Sequence, residues 1–303
     1  MAGEKVACAK KKGSAGLSER PIVSVVLGTY NRKPFLKACI SSVRQELHRL
    51  GRASEIIVVD GGSRDGTLSW LNNQSDIITV IQHNRRSQNG TEVRRRSWGY
   101  FINLGFRVAA GKYICMLSDD VVLVPGAIDN GLSKFLDKPD SSNRKGGVAF
   151  FYREWPSQSS YSIYQMFGKI VHINHGLFLS KAVKEIDYAD EEAFSFYRGD
   201  NDLCIRLFEA GYDIDVGVDS FVEHYREANK SVRKTNQVSL ESDSDALQQR
   251  WHRYYRETDT KNRFYDRVSS VYEDKSKSYL RFPGKAARLW HGIALFIVRL
   301  LNL

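Results

Sequence analysis

Short apolar runs that alternate with helical patterns constrain the fold of this chain more than any other feature. The runs cover residues 22–27, 55–59, 77–81 and 113–117, and the first three are rich in β-branched residues. Helical spacing of apolar residues follows the first run from residue 34 to 43, and precedes the last run from residue 98 to 108. Such alternation predicts right-handed βαβ units and a Rossmann-like α/β fold, with a mostly parallel mixed sheet flanked by helices.

The residues that end these strands predict a ligand site, because parallel α/β sheets bind ligands beyond the carboxyl ends of their strands. The polar strand ends are Thr29-Tyr30-Asn31, Asp60-Gly61 and Ser118-Asp119-Asp120. A carboxylate such as that of Asp60 can accept hydrogen bonds from a ribose hydroxyl or an imide N–H. Alternatively, residues 60–63 form a tight turn, and Ser63 or Asp65 caps the next helix.

The acidic pair Asp119 and Asp120 suits a divalent cation. Carboxylate oxygens bind hard cations, which neutralise the charge of a diphosphate. Neighbouring carboxylates repel each other unless a cation or solvent relieves them. The alternative is an exposed acidic turn that leads into a helix near residues 125–126.

The second half of the chain offers three more candidates. Asp200 precedes a helix predicted over residues 202–210 and stopped by Gly211, so it is either the N-cap or a general base. His224 either ligates a metal or has a structural role. The Arg94-Arg95-Arg96 cluster either binds a diphosphate or is solvated. Residues 153–173, which are aromatic and polar, predict a loop-rich surface with a helix.

Composition narrows the partners only in part. The formal charge is +10, which suits nucleic acids, anionic membranes and phosphorylated ligands alike. The chain has no recognisable nucleic-acid-binding motif, so we expect no nucleic-acid partner. Cys115 and Cys204 lie in apolar runs and predict buried thiols. Residues 1–20 lack the pattern of a secretory signal, which favours a cytoplasmic location.

The order of the motifs resembles the family 2 glycosyltransferases, an inverting family with the GT-A fold. The resemblance is carried by VSVVLGTYNR (23–32), EIIVVDGGSRDGT (55–67), NLGFRVAAGKYICMLSDDVVLVPGAI (103–128), HGLFLSKAV (175–183), DEEAFSFYRGDNDLCIRLFEAGYDI (190–214) and VEHY (222–225). Ser118 stands where the family's DxD element begins with Asp. Gly199 stands where a Glu commonly precedes the base.

The resemblance implies a hexosyltransferase that moves a sugar from a nucleotide-sugar to a hydroxyl of a glycan or lipid-linked acceptor in cell-envelope polysaccharide biosynthesis. It implies that Asp200 is the general base, and that Asp120 and His224 hold Mn²⁺ or Mg²⁺. The implied nucleotide-sugar site contains Thr29, Tyr30, Asn31, Asp60, Gly61, Ser118 and Asp119. Two alternatives stay open: a catalytically weak or inactive GT-A-like nucleotide-binding protein, which Ser118 favours, and a nucleotidyltransferase, which would release pyrophosphate.

The pattern also predicts four segments: a disordered basic tail over 1–20, a catalytic domain over 21–230 with halves that meet at 125/126, a polar linker and helix over 231–274, and a helical extension over 275–303. That extension has six Lys or Arg and no Asp or Glu. Its longest unbroken apolar stretch, 292–298, is far shorter than the ~20 residues of a spanning helix. We expect an amphipathic helix that lies on an anionic membrane, at the inner face of the cell membrane. The alternative is a helix packed on protein.

Overall fold

The computed structural model describes residues 20–84, 87–88, 91–92, 95–137, 144–154, 158, 160–225, 236–257 and 265–272. The predicted tail, apart from Arg20, and the predicted amphipathic helix over 275–303 lie outside these residues. Within them, no helix is long and apolar enough to cross a membrane.

The helices are α1 Lys33–Leu50, α2 Thr67–Leu71, α3 Trp98–Val108, α4 Ala127–Lys134, α5 Ser180–Glu185, α6 Gly199–Glu209, α7 Leu240–Arg250 and α8 His252–Glu257. The strands are β1 Val23–Thr29, β2 Ser54–Asp60, β3 Ile77–Ile81, β4 Ser87–Gln88, β5 Thr91–Glu92, β6 Tyr113–Ser118, β7 Val121–Leu123, β8 Arg144–Glu154, β9 Ser160–Met166, β10 Ile170–Val171, β11 Gly176–Leu179, β12 Tyr212–His224 and β13 Tyr265–Tyr272.

The N-terminal half of the main sheet confirms the predicted α/β fold. Its strands lie in the order β6-β1-β2-β3, and all three of these pairings are parallel. The carboxyl ends of β1, β2 and β6 therefore meet at one edge. Thr29 pairs with Asp60 in register, and Gly28 pairs with Ser118. The strand-end motifs that are far apart in sequence thus become neighbours.

The second half extends the same sheet mainly by antiparallel pairing. β11 joins β6 to β8, β9 follows β8, and β10 and β13 both pair with β9. The long strand β12 runs parallel to β8 and antiparallel to β7. Among the described residues this sheet has eleven strands.

The predicted loop-rich surface over residues 153–173 is wrong. The described part of this region forms the end of β8 together with β9 and β10, and it contains no helix. A segment of this polar and aromatic composition can form a sheet because its aromatic rings pack against rings on other strands. Tyr152 packs on Tyr164 with centroids 5.9 Å apart, and Tyr161 packs on Phe221 at 5.0 Å.

Helices cover both faces of the sheet. Because successive side chains of a strand point to opposite faces, Val26 joins the cluster under α3 and α6, whereas Val25 and Leu27 join the cluster under α1 and α4. Cys39, Ile40 and Val43 are buried on α1 as predicted, and Phe35 is only partly buried. On α3 the buried face includes Phe106, while Val108 is 43% exposed. Cys115 and Cys204 are buried free thiols, as expected.

The start of α6 differs from the sequence prediction. The helix begins at Gly199, so Asp200 lies in its first turn, and Arg198 is the N-cap residue at φ 68°. The N-cap alternative for Asp200 is therefore excluded, because Arg198 occupies that position. Gly199 packs against the Trp98 ring, where a Cβ would approach the ring to 2.8 Å, so a larger residue would not fit there without a shift. The predicted helix stop is confirmed, since Gly211 has φ 76°.

Residues beyond 235 pack on the same body. Leu247 on α7 and Tyr254 on α8 belong to the buried cluster that contains Val26 and Phe106. β13 adds to the main sheet beside β9. The domain limit placed at residue 230 stays a prediction, although these contacts tie the later helices closely to the sheet.

Gly105 on α3 lies so close to β1 that we expect alanine to destabilise the fold. A Cβ at this position would overlap Cγ1 of Val26 and would lie 3.3 Å from Cγ2 of Val59. Gly105→Ala gains about 1 kcal/mol of helix propensity. The overpacking costs about 1–3 kcal/mol, so we expect a lower free energy of unfolding in urea denaturation.

The matched control for this prediction is the same change in a Val26→Ala background, which lacks the obstructing methyl group. There Gly105→Ala should be neutral or stabilising. An equal loss of stability in both backgrounds would contradict the close approach of α3 to β1.

Candidate active site

A cavity of about 680 Å³ opens at the edge where the parallel strands end. This volume is typical of small-molecule sites. The predicted residues on its wall are Thr29, Tyr30, Gly61, Ser118, Asp119, Asp120, Asp200 and His224. Asn31 and Asp60 are not on the wall but lie behind it. The structure thus brings the candidates from both halves of the sequence together.

Asp60 supports the turn that follows β2. It is fully buried, and its Oδ1 accepts hydrogen bonds from the backbone N–H groups of Gly62 and Ser63, both at 2.7 Å. The tight turn proposed from the sequence is therefore present. Its Oδ2 is buried and has no hydrogen-bond partner among the described residues. A buried acceptor without a partner is uncommon and calls for an explanation.

The predicted helix cap after this turn is wrong for Ser63. Its Oγ accepts a hydrogen bond from the backbone N–H of Asn31 at 2.9 Å, and so it links the ends of β1 and β2. α2 begins after Gly66 at φ 85° without a side-chain cap. Asp65 bonds the Thr67 N–H at the first helical position instead.

The acidic pair after β6 is neutralised by Arg32. One guanidinium nitrogen, Nη1, lies 2.9 Å from Asp119 Oδ1 and 2.8 Å from Asp120 Oδ2. Thr29 donates to the other oxygen of Asp119 at 2.7 Å. Burial raises the pKa of Asp119 despite the nearby guanidinium. Burial acts in the same direction on Asp120, but His224 and Arg32 outweigh it and lower the pKa of that carboxyl group.

His224 lies between two carboxylates. Its Nε2 is 3.4 Å from Asp120 Oδ1, and its Nδ1 is 3.2 Å from Glu154 Oε2. Burial opposes a charged imidazole, but the two carboxylates raise the pKa of His224 to about 9. The ring is therefore protonated at neutral pH in the absence of a metal.

Asp200 lies in the same cavity and contacts a second histidine. Its Oδ1 accepts the Asn201 backbone N–H at 2.9 Å, and its Oδ2 is 3.1 Å from His172 Nε2. Burial acts to raise the pKa of Asp200. His172 and the backbone hydrogen bond lower it by more, so the net shift is downward. Asp200 is consequently ionised at neutral pH, as a general base must be.

His175 is a third histidine beside this group. It is 1% exposed, and neither ring nitrogen has a hydrogen-bond partner among the described residues. The ring packs edge-on against Tyr152 and His224, with centroids 6.0 and 5.5 Å away. Burial lowers the pKa of His175 to about 3, so this imidazole is neutral.

The donor set fits a divalent cation that is shared with a ligand. Asp120 Oδ1 is buried without a hydrogen-bond partner among the described residues, and it faces His224 Nε2. Within the described chain, no group of three or more acidic, His or Cys side chains is arranged to hold a metal alone. Mg²⁺ is commonly bound by one or two protein ligands plus phosphate oxygens and water. His224 would have to lose its proton before it could bind a cation.

The Arg94–Arg96 cluster is described only in part, since Arg94 lies outside the described residues. Arg95 and Arg96 are exposed on the cavity wall. The Arg96 guanidinium lies over the Tyr100 ring, 4.7 Å from its centroid. The backbone of Arg96 exchanges two hydrogen bonds with the Asn84 side chain. This anchors the chain at the cavity entrance.

Sequence reasoning missed Arg32, Glu154 and His172 as members of the site. Arg32 directly follows the Thr29-Tyr30-Asn31 strand end, so its place in the sequence was a usable signal. His172 and His175 are spaced three residues apart just before β11. No local pattern pairs Glu154 with His224, because that contact depends on the register of β8 and β12.

Comparisons with known proteins identify the family and the fold. The family model "Glycosyl transferase family 2" matches residues 24–180. The mannosyltransferase PcManGT from Pyrobaculum calidifontis, solved with GDP-Man and Mn²⁺, superposes with a TM-score of 0.50 at 19% identity. It covers 68% of this chain and 57% of that chain. This similarity supports the fold alone.

Two curated relatives are similar in sequence. Protein CgeD of Bacillus subtilis is 25% identical over 193 residues, which is 64% of this chain and 36% of CgeD. An uncharacterized glycosyltransferase of Haemophilus influenzae is 28% identical over 126 residues, 42% of this chain and 36% of that protein. The chain thus spans little more than a third of these relatives. Because the family model covers over half of the sequence, residues 24–180, the chain belongs to glycosyl transferase family 2.

Proposed function

We propose that the chain is an inverting, nucleotide-sugar-dependent glycosyltransferase that acts on a hydroxyl of a glycan or lipid-linked acceptor. One observation carries the proposal: the acidic pair with its Arg32 partner and the carboxylate of Asp200 line a single cavity at the carboxyl ends of the strands. A glycosyl transfer needs both a site for a charged leaving group and a base for the acceptor. Family membership supports the same reaction class.

The nucleoside part of the donor binds against β1 and β2. Asp60 Oδ2 offers an unused acceptor behind Gly61, and Thr29, Tyr30 and Ser118 line the adjacent wall. Asn31 supports this wall, since its side-chain Oδ1 accepts the Arg64 backbone N–H at 2.7 Å. Gly61 allows close approach of the ligand because it has no side chain there.

The diphosphate binds at the acidic pair. Arg32 supplies positive charge beside Asp119 and Asp120, and Asp120 with His224 would hold Mn²⁺ or Mg²⁺. When bound, such a cation neutralises the charge that the leaving diphosphate gains as its bond to the sugar breaks. PcManGT, which has a similar fold, was solved with both GDP-Man and Mn²⁺. By analogy with that complex, the proposal includes a metal-assisted donor site in this chain.

Asp200 then acts on the acceptor. The acceptor oxygen attacks the anomeric carbon and forms the new glycosidic bond, while the bond from that carbon to the diphosphate breaks. The hydroxyl proton passes to Asp200, and the nucleoside diphosphate leaves. Attack opposite to the leaving group inverts the anomeric configuration. His172 helps to hold the Asp200 carboxylate, since its Nε2 lies 3.1 Å from Asp200 Oδ2.

The proposal includes a location at an anionic membrane surface and an acceptor that is found there. The segment 275–303 has six basic residues without an acid, which favours an anionic membrane surface and hence a lipid-linked or envelope glycan. The released product tests the reaction class: a glycosyltransferase releases nucleoside diphosphate, whereas release of pyrophosphate would identify a nucleotidyltransferase.

Asp120 is expected to make nucleotide binding depend on a divalent cation. Asp120→Ala removes the oxygen that faces His224, while Arg32 keeps its contact with Asp119 at 2.9 Å. Calorimetric titration with nucleoside diphosphates should show that Mn²⁺ no longer strengthens binding. Asp119→Ala should weaken the metal effect less.

The matched control is Asp129→Ala, which removes an exposed carboxylate from α4. It should leave both the affinity and the metal effect unchanged. Unaltered metal-dependent affinity in Asp120→Ala would refute the assignment of this residue.

Asp200→Asn is expected to separate binding from transfer. Asn keeps the size of the side chain and can still accept the Asn201 backbone N–H, but it cannot accept the acceptor proton. The variant should bind the donor normally and lose turnover by roughly 10²–10⁴-fold. Turnover is measured as nucleoside diphosphate release, and binding by calorimetry.

A fully active Asp200→Asn protein would remove Asp200 from the mechanism. Asp202 could not replace it, because it is fully buried and its Oδ1 accepts the Trp251 indole N–H at 2.8 Å.

A further inference from the structure

The loop that precedes Asp200 is held by a carboxylate from a distant helix. Asp243 on α7 is 2% exposed. Its Oδ1 accepts the backbone N–H of Ser195 at 2.8 Å, and its Oδ2 accepts those of Phe196 and Tyr197 at 2.9 and 2.8 Å. Three consecutive N–H groups therefore converge on one side chain.

These N–H groups have no partner within a helix, since they precede α6. A carboxylate is a strong acceptor for such donors because its hydrogen bonds are charge-assisted. Loss of the carboxylate would leave the donors unsatisfied in a partly buried loop, which is costly. Asp243 thus caps the free N–H groups of loop 195–198, much as an N-cap side chain caps those of a helix end.

The same loop is fixed at further points. The carbonyl of Ser195 accepts the Trp98 backbone N–H at 3.0 Å, which ties the loop to α3. The Arg198 Nε donates to Ser244 Oγ at 3.1 Å, which ties it again to α7. Arg198 has φ 68°, an unfavourable backbone conformation that persists only where surrounding contacts hold it. The chain then enters α6, and Asp200 follows two residues later.

The end of α7 and the residue after it also bond to Asp202, two residues beyond Asp200. Asp202 Oδ1 accepts hydrogen bonds from the Trp251 indole at 2.8 Å and from Arg250 Nη1 at 3.2 Å. Leu247 anchors α7 in the core, where it is 1% exposed. Residues 240–251 therefore bond the chain on both sides of Asp200, at loop 195–198 before it and at Asp202 after it. These residues lie outside the region that the family model matches.

We propose that Asp243 is a positioning residue for the catalytic base, and that it places Asp200 by fixing the backbone of loop 195–198. The inference rests on the proposed function for the role of Asp200. Asp243 itself lies behind the loop and is not on the cavity wall, whereas Phe196, Tyr197 and Arg198 are. Its effect is thus exerted through the backbone.

The test compares Asp243→Asn with Asp245→Asn. Both remove one negative charge from α7, but Asp245 is exposed. For Asp243→Asn we expect faster hydrogen exchange at the amides of Ser195–Tyr197. We also expect a kcat for nucleoside diphosphate release that is about 10²-fold lower, the order of loss that follows a small misplacement of a catalytic group. The Kd for nucleoside diphosphate should be unchanged, and Asp245→Asn should resemble wild type.

A second variant keeps the test valid if Asp243→Asn does not fold. Asp243→Glu retains the charge but moves the carboxylate by one methylene group. It should accelerate exchange at the same three amides and lower kcat by about tenfold.

Two results would overturn the proposal. One is wild-type kcat and amide exchange in a folded Asp243 variant. The other is a loss of nucleoside diphosphate affinity that matches the loss of kcat, because Asp243 would then support the whole fold. If wild-type protein releases no nucleoside diphosphate from any nucleotide-sugar that it binds, the proposed function fails. The exchange comparison would still decide whether Asp243 holds the loop.

Discussion

Neutralisation of two adjacent, buried carboxylates is the interaction on which the site depends. Asp119 and Asp120 are 4% and 6% exposed, and such charges are costly to bury unless they are paired. Their partners come from different parts of the fold: Thr29 from the end of β1, Arg32 from the start of α1, and His224 from the end of β12. Through His224 the pair also links β12 to the end of β6.

A second buried ion pair lies below this site. Arg153 and Glu223 are fully buried and 2.5 Å apart, and they occupy paired positions of β8 and β12. Tyr225 donates to the other oxygen of Glu223 at 2.9 Å. The next residues on the two strands, Glu154 and His224, point to the opposite face and into the site. Removal of either buried partner would leave an uncompensated charge directly behind the metal-binding candidates.

The sequence predicted the parallel half of the fold well because its signals are local. Short apolar runs mark β1, β2, β3 and β6, and the topology of parallel sheets then brings Thr29, Asp60 and Asp120 to one edge. Prediction failed where tertiary contacts override local pattern. The sequence of β9 has the composition of a loop-rich surface, because its polar and aromatic residues find their partners only on other strands. The local pattern also left two roles open for Asp200, because its contact with His172 depends on the fold.

The supporting residues are separated widely in sequence from those they hold. Arg32 is 87 and 88 residues from its two aspartates, and Asp243 is 46–48 residues from the loop that it bonds. No periodicity or motif connects such pairs in one sequence. The chemistry-bearing residues could thus be found from motifs, whereas the residues that orient them needed the fold.

The central claim is that the neutralised acidic pair receives the diphosphate of a nucleotide together with a divalent cation. The most direct measurement is a crystal structure of the protein with a nucleoside diphosphate and Mn²⁺, in which anomalous scattering locates the metal. The account predicts an anomalous peak bound by Asp120 and His224, with the diphosphate beside Arg32 and the base near Asp60. A nucleotide bound outside this cavity, or a diphosphate bound there with the metal on other residues, would contradict it.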